Sequence, residues 1–206
     1  MGVVASRPYR GIGADERRAQ RRAALLEAAL DLLGGPERPA VTMTAICQRA
    51  GLTERYFYES FRDRDALLVE LLDVIATEVM EAVGAALDER AATPEVRVRA
   101  AVRALVDVLL ADPRKGRVAL VESVTVPALR TRRQELLAGF AGLTADRTRE
   151  LYGERAWSDP DDRIESLLIV GGLAELLGAR LSGRLDVEAD VLVEAATRHY
   201  LATAHR

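Results

Sequence analysis

The chain has 206 residues, 49% of them hydrophobic, with one cysteine and a net charge of −3. That length is enough for one large or two small helical domains with a real core. The lone Cys47 excludes an internal disulfide and fits a reducing compartment. No apolar run approaches the roughly 20 residues that span a bilayer, and no continuous apolar leader opens the sequence, so a cytoplasmic protein with no membrane partner is expected.

Taken alone, the negative charge argues against a nucleic-acid binder, but its distribution changes that reading. Residues 1–65 carry 11 Arg and 9 acids, net +2, whereas the remainder is net −5. Arg7, Arg10, Arg17, Arg18, Arg21 and Arg22 oppose only Asp15 and Glu16. Residues 1–15 are expected to form a flexible basic arm, either a solvated tail or a segment that lies along phosphates or enters a minor groove.

A first helix is predicted over about 16–33, where Ala24, Leu25, Ala28 and Leu32 make an apolar stripe and Gly34-Gly35-Pro36 ends it. Thr42 can cap a short helix from Met43 to Ala50 with Ile46 as its apolar anchor. Gly51 follows, where a left-handed turn residue joins two helices at a steep angle. Leu52 fills that angle, and Thr53 can cap a second short helix ending near Ser60. Asp63 can cap a third, with Asp65 in its first turn favoured by the helix dipole. Phe57 and Phe61 are four apart and share a helix face with Leu52 and Thr53, so Tyr56 and Tyr58, which flank Phe57, must point elsewhere, outward beside Arg55 and Arg64.

This stretch resembles the DNA-binding unit of the TetR family of transcriptional regulators. The likeness rests on Gly51, Leu52 and Thr53, then Glu54, Arg55 and Tyr56, then Phe57, Tyr58, Phe61, Arg64, Asp65 and Leu67, and covers roughly residues 17–68. Two departures stand out: Ser60 replaces the usual Tyr or His, and Arg64 replaces the usual Lys, which keeps the charge and adds donors. By motif position the resemblance implies that Thr44, Glu54, Arg55 and Tyr56 lie where base edges are read. Arg55 could then pair with guanine, and Glu54 could accept from a cytosine amino group. Thr42, Thr53, Tyr58 and Arg64 would hold phosphates and set register. Glu59 has three outcomes open to it: reading cytosine, pairing with Arg55 or Arg62, or turning away.

The next helix is predicted to run from Arg64 to about Asp88, with Leu67, Leu68, Leu71, Leu72, Ile75 and Val79 at spacings of three and four. Thr93-Pro94-Glu95 starts another. Asp112-Pro113 breaks it, and a short helix follows to about Val124. Val126-Pro127 opens a long one to about Tyr152, Ser158 to Asp162 start the next, and Asp186 caps the last, which runs to about Thr203. Strand signals are absent. The expected fold is therefore all-α: a helix-turn-helix head over 16–63 and a larger helical ligand-sensing and dimerisation domain over 64–206.

Residues 162–182 are apolar on more than one face, so this helix is buried on most sides. Either a monomer core or a second copy of the chain covers it. The second reading, which the family resemblance also implies, places Leu167, Val170, Gly171, Leu177, Val191 and Ala195 at a homodimer interface. A two-fold dimer suits a palindromic operator on double-stranded DNA, with recognition helices about 34 Å apart. The resemblance further implies repression relieved by a small apolar or amphipathic effector, for which Phe140, Tyr152 and Trp157 are candidate pocket residues. Enzyme chemistry finds little support. His199 and His205 are the only histidines, Cys47 has none nearby, and no phosphate loop, metal spacing or serine elbow occurs. No catalytic residue, metal or cofactor is expected. A helical ligand- or protein-binding module with little specific DNA binding is the alternative.

Overall fold

The computed structural model describes residues 13–37, 39–89, 92–158 and 160–204, and every regular element among them is helical. The head comprises α1 (Ala14–Gly34), α2 (Met43–Ala50) and α3 (Glu54–Ser60). The larger part comprises α4 (Arg64–Leu87), α5 (Pro94–Ala111), α6 (Pro113–Arg117), a π-helical turn (Val118–Glu122) and α7 (Ser123–Thr125). It continues through α8 (Pro127–Tyr152), a 3-10 turn (Gly153–Arg155), α9 (Asp161–Leu181) and α10 (Ala189–Thr203). Residues 1–12 of the expected basic arm, and His205, lie outside the described residues.

Local chemistry sets several helix ends. The Thr42 hydroxyl accepts from the Ala45 amide at 3.1 Å, and the Asp63 carboxylate accepts from the Ala66 amide at 2.7 Å. Gly51 adopts φ 65°, a conformation costly for a residue with a Cβ, and its amide closes α2 onto Cys47 and Gln48. Thr93 caps α5 through the Val96 amide with Pro94 in the first turn. Two expected caps are not made. Thr53 occupies the N-cap of α3 without a side-chain hydrogen bond, and α10 begins at Ala189 behind Glu188 rather than at Asp186.

Burial joins head and body. One apolar cluster runs from Leu25, Ile46, Phe57 and Phe61 through Leu67, Leu71 and Ile75 to Val118, Leu129, Leu177 and Val193. The first turns of α4 thus belong to the core of the head while its later turns pack on α5 and α8. A second cluster gathers Val98, Tyr152, Trp157, Tyr200 and Ala204. Helices α4, α5, α10, α9 and α8 pack in that order into a closed bundle, with α8 returning against α4.

The short α6 is the main bridge from bundle to head. It lies so close to the end of α1 that a Cβ on Gly34 would collide with the Arg114 carbonyl. The Arg114 guanidinium binds Glu27 at 2.8 Å and Asp31, both on α1, and Asp112 at 2.7 Å. Lys115 grips Glu78 of α4 at 2.6 Å, and Arg117 donates to the Gly34 carbonyl at 3.3 Å.

Candidate DNA-binding surface and ligand cavity

The second helix of the head, α3, divides its residues sharply. Phe57 is wholly buried, while Glu54, Arg55 and Tyr58 are exposed, Tyr58 at 60%. Phe61 is also buried, although it sits just past the helix in extended backbone, so the helical spacing to Phe57 is only part of its placement. The Phe57 ring packs edge-on to Tyr58 at 5.8 Å and tilted to Phe61 at 5.9 Å. Thr42, Thr44, Thr53 and Arg64 are exposed as well. All eight residues assigned to DNA are therefore accessible, with Tyr56 the most sheltered at 36%.

Two arginines of α1, grouped in sequence with the basic arm, serve the head internally. Arg21 lies over the Tyr56 ring at 4.5 Å and 3.6 Å from Glu59. Arg22 lies over Phe61 at 4.3 Å, binds the Ser60 carbonyl at 2.5 Å and grips Glu70 with two donors. It thereby staples α1, α3 and α4 together. Of the outcomes open to Glu59, pairing is the one adopted, with Arg55 at 3.2 Å and with Arg21 in place of Arg62. Arg64 bonds Asp65 at 2.9 Å and reaches the Val41 carbonyl at 3.4 Å. Cys47 is buried, and burial, with Glu54 nearby, pushes its thiol up, so it is a packing residue and no thiolate nucleophile.

The bundle encloses a cavity of about 290 Å³ between α4, α5, α8, α9 and the π-helical turn. Its wall is almost wholly apolar: Leu72, Ile75, Val79, Leu105, Leu120, Leu136, Phe140, Leu173 and Leu177 are representative. Met80 and Leu143, both more than two-fifths exposed, mark an opening between α4 and α8. Such a site suits an apolar ligand.

Of the expected pocket residues only Phe140 lines it. Tyr152 and Trp157 are corrections: both are buried in the second cluster, where the Trp157 ring meets Tyr200 edge-on at 5.8 Å and its indole N–H donates to the Thr203 carbonyl. Tyr200, not predicted, does reach the cavity. Its hydroxyl shares a 2.7 Å hydrogen bond with Thr148, and burial pushes its pKa up to about 12 against the lowering effect of that bond.

The expected interface residues also divide. Leu167 (52%) and Val191 (55%) are exposed, and Gly171 and Ala195 are half-buried. Leu177 is a correction: it is wholly buried and lines the cavity, so it is unavailable to a partner. Val170 likewise lines the cavity. Ile164, Leu168 and Leu176 are exposed on α9 instead, and a Cβ built on Gly171 or Gly172 meets nothing within 4 Å. Among the described residues no cluster of three metal-capable side chains occurs, and no helix is long and apolar enough to cross a membrane.

Residues 25–71 match the family model of bacterial regulatory proteins, tetR family. No curated protein matches the chain in sequence. Among solved structures, the fatty acid degradation regulator FadR from Bacillus halodurans superposes with a TM-score of 0.76 at 19% identity, covering 90% of this chain and 97% of that one. FadR from Bacillus subtilis in complex with stearoyl-CoA gives 0.72 at 16% identity over 89% and 99%. A TetR family transcription regulator from Marinobacter aquaeolei VT8 gives 0.68 at 18% identity over 93% and 100%. At these identities the likeness establishes a shared fold.

Proposed function

Because residues 25–71 match the tetR family model and the whole chain shares the fold of such regulators, we propose that it is a TetR-family transcriptional regulator that acts as a homodimer on a palindromic operator, as a repressor that an apolar or amphipathic effector releases. The observation that carries the reading is the division of α3. Phe57 anchors the helix in the core while Glu54, Arg55, Tyr56 and Tyr58 stand toward solvent beside the exposed Thr44 of α2. In this reading Thr44, Glu54, Arg55 and Tyr56 meet base edges, and Thr42, Thr53, Tyr58 and Arg64 meet phosphates.

A second copy of the chain covers the open face of α9. Ile164, Leu167 and Leu168 recur there at helical spacing, Val191 of α10 adds to them, and Gly171-Gly172 leaves room for close backbone approach. The effector occupies the cavity. A structural relative of the same fold was captured with stearoyl-CoA, which favours a long apolar ligand here. Ala119 and Leu120 of the π-helical turn line the cavity directly after α6, the segment that holds α1. A ligand that prefers one placement of that segment would shift the spacing of the two heads and so the population able to bind DNA.

The test is binding of the purified protein to the DNA upstream of its own coding region across a salt series. Sequence-dependent binding by a dimer, weakened roughly tenfold or more in Tyr58→Ala or Arg64→Ala, is expected, because each loses a phosphate contact. Binding equal to that of random DNA there, and no site in a genome-wide selection, would remove the regulator reading in favour of a binding module.

A further inference from the structure

The cavity has a short polar inventory. Four of its lining side chains carry nitrogen or oxygen: Arg133, Thr144, Arg147 and Tyr200. Three are engaged within the protein. Thr144 donates to the Phe140 carbonyl at 2.9 Å, Arg147 pairs with Glu150 at 2.8 Å, and Tyr200 shares its hydroxyl with Thr148.

Arg133 differs from these. Its Nε is buried without a hydrogen-bond partner, and no carboxylate pairs with it among the described residues. The preceding residue, Arg132, has its Nε on Asp73 at 2.6 Å and a terminal nitrogen on Glu135 at 2.8 Å, so of these two neighbours only Arg133 carries an unmatched Nε. A guanidinium cannot shed its proton to escape burial, and a buried donor without an acceptor is costly. Solvation of the outer nitrogens would relieve part of that cost but leaves Nε unserved.

Position adds a second argument. The Arg132–Asp73 pair sets this end of α8 level with the start of α4's lining, at Leu72 and Ile75. From Arg133 the lining continues along α8 through Leu136, Phe140 and Leu143 to Leu151, roughly 27 Å at 1.5 Å per residue. The apolar lining therefore extends along α8 with one unpaired cation near one end.

We infer that the ligand of this cavity is an elongated apolar chain ending in a carboxylate, and that Arg133 is the residue that holds that carboxylate. A carboxylate offers two acceptors to the guanidinium fork and supplies the missing charge, while the rest of the molecule needs only apolar walls. This deepens the effector reading and rests on the cavity being the effector site. It does not depend on DNA binding.

Calorimetric titration of the DNA-free protein with dodecanoate and with dodecanol tests it, using wild type, Arg133→Met and Arg133→Lys. The wild type is expected to bind dodecanoate roughly tenfold or more tightly than dodecanol, the difference a charged hydrogen bond makes. Arg133→Met is expected to lose that preference while still binding dodecanol, which also reports that the variant is folded. Arg133→Lys keeps part of the preference. Equal binding of the two probes by wild type, or a preference that survives in Arg133→Met, would overturn the anchor and leave the cavity as an effector site. Binding of neither probe would overturn both.

Discussion

Glu59 is a carboxylate on the helix assigned to DNA, and it holds Arg55 at 3.2 Å and Arg21 at 3.6 Å. In the free protein it orders both arginines, but beside phosphates it repels. Glu59→Gln keeps the shape and much of the hydrogen bonding while removing the charge. Affinity for non-specific DNA is expected to rise roughly three- to tenfold at low salt, with a log–log salt slope steeper by about one, read by fluorescence anisotropy across a salt series. The same neighbourhood marks a limit of sequence reading. The pairs Arg21–Glu59 and Arg22–Glu70 join residues 38 and 48 positions apart, and no local pattern announces them. The two arginines therefore read as part of a basic run. Gly51, Thr42 and Asp63 were legible because their partners lie within four residues.

Helix ends and spacings were likewise legible where the chain speaks to itself: Thr93-Pro94 and Val126-Pro127 open α5 and α8 as expected. The cavity was not. Leu72, Ile75 and Val79 of α4 form the same three-and-four stripe whether they meet another helix or border empty space. For that reason Tyr152 and Trp157, chosen as aromatics, proved to be packing, while Tyr200 on the last helix reached the site. At the α1–α6 junction, Asp112 both caps α6 and binds Arg114, and those hydrogen bonds hold its carboxyl below the usual aspartate range despite some burial. Its folded pKa is depressed, so its contribution is complete above the unfolded value of about 3.9 and is lost as pH falls through the lower folded value. Asp112→Asn is expected to cost about 1 kcal/mol at pH 7, since Glu27 and Asp31 still hold Arg114. The gap to wild type narrows below about pH 4, as urea midpoints measured from pH 7 downward would record.

The protein as a whole is a head and a bundle that share one apolar core, with a second apolar face left open on α9. If a second copy covers that face, Leu168, 58% exposed in the monomer, becomes a buried contact. Leu168→Glu is then expected to weaken self-association by roughly 30-fold or more while leaving the helical circular dichroism unchanged, as sedimentation equilibrium would measure. The chain also carries a built-in optical reporter. Trp157 is its single indole, and it touches Tyr200, whose ring borders the cavity, within a cluster that contains no residue of α1, α2 or α3. Its emission is therefore expected to respond to a ligand in the cavity through one intervening ring, with no dye attached. DNA bound at the head, as proposed, is not expected to quench it by contact. On the proposed function, a change in that emission when DNA is added would have travelled through the body of the protein, so one fluorophore would report coupling between the head and the cavity.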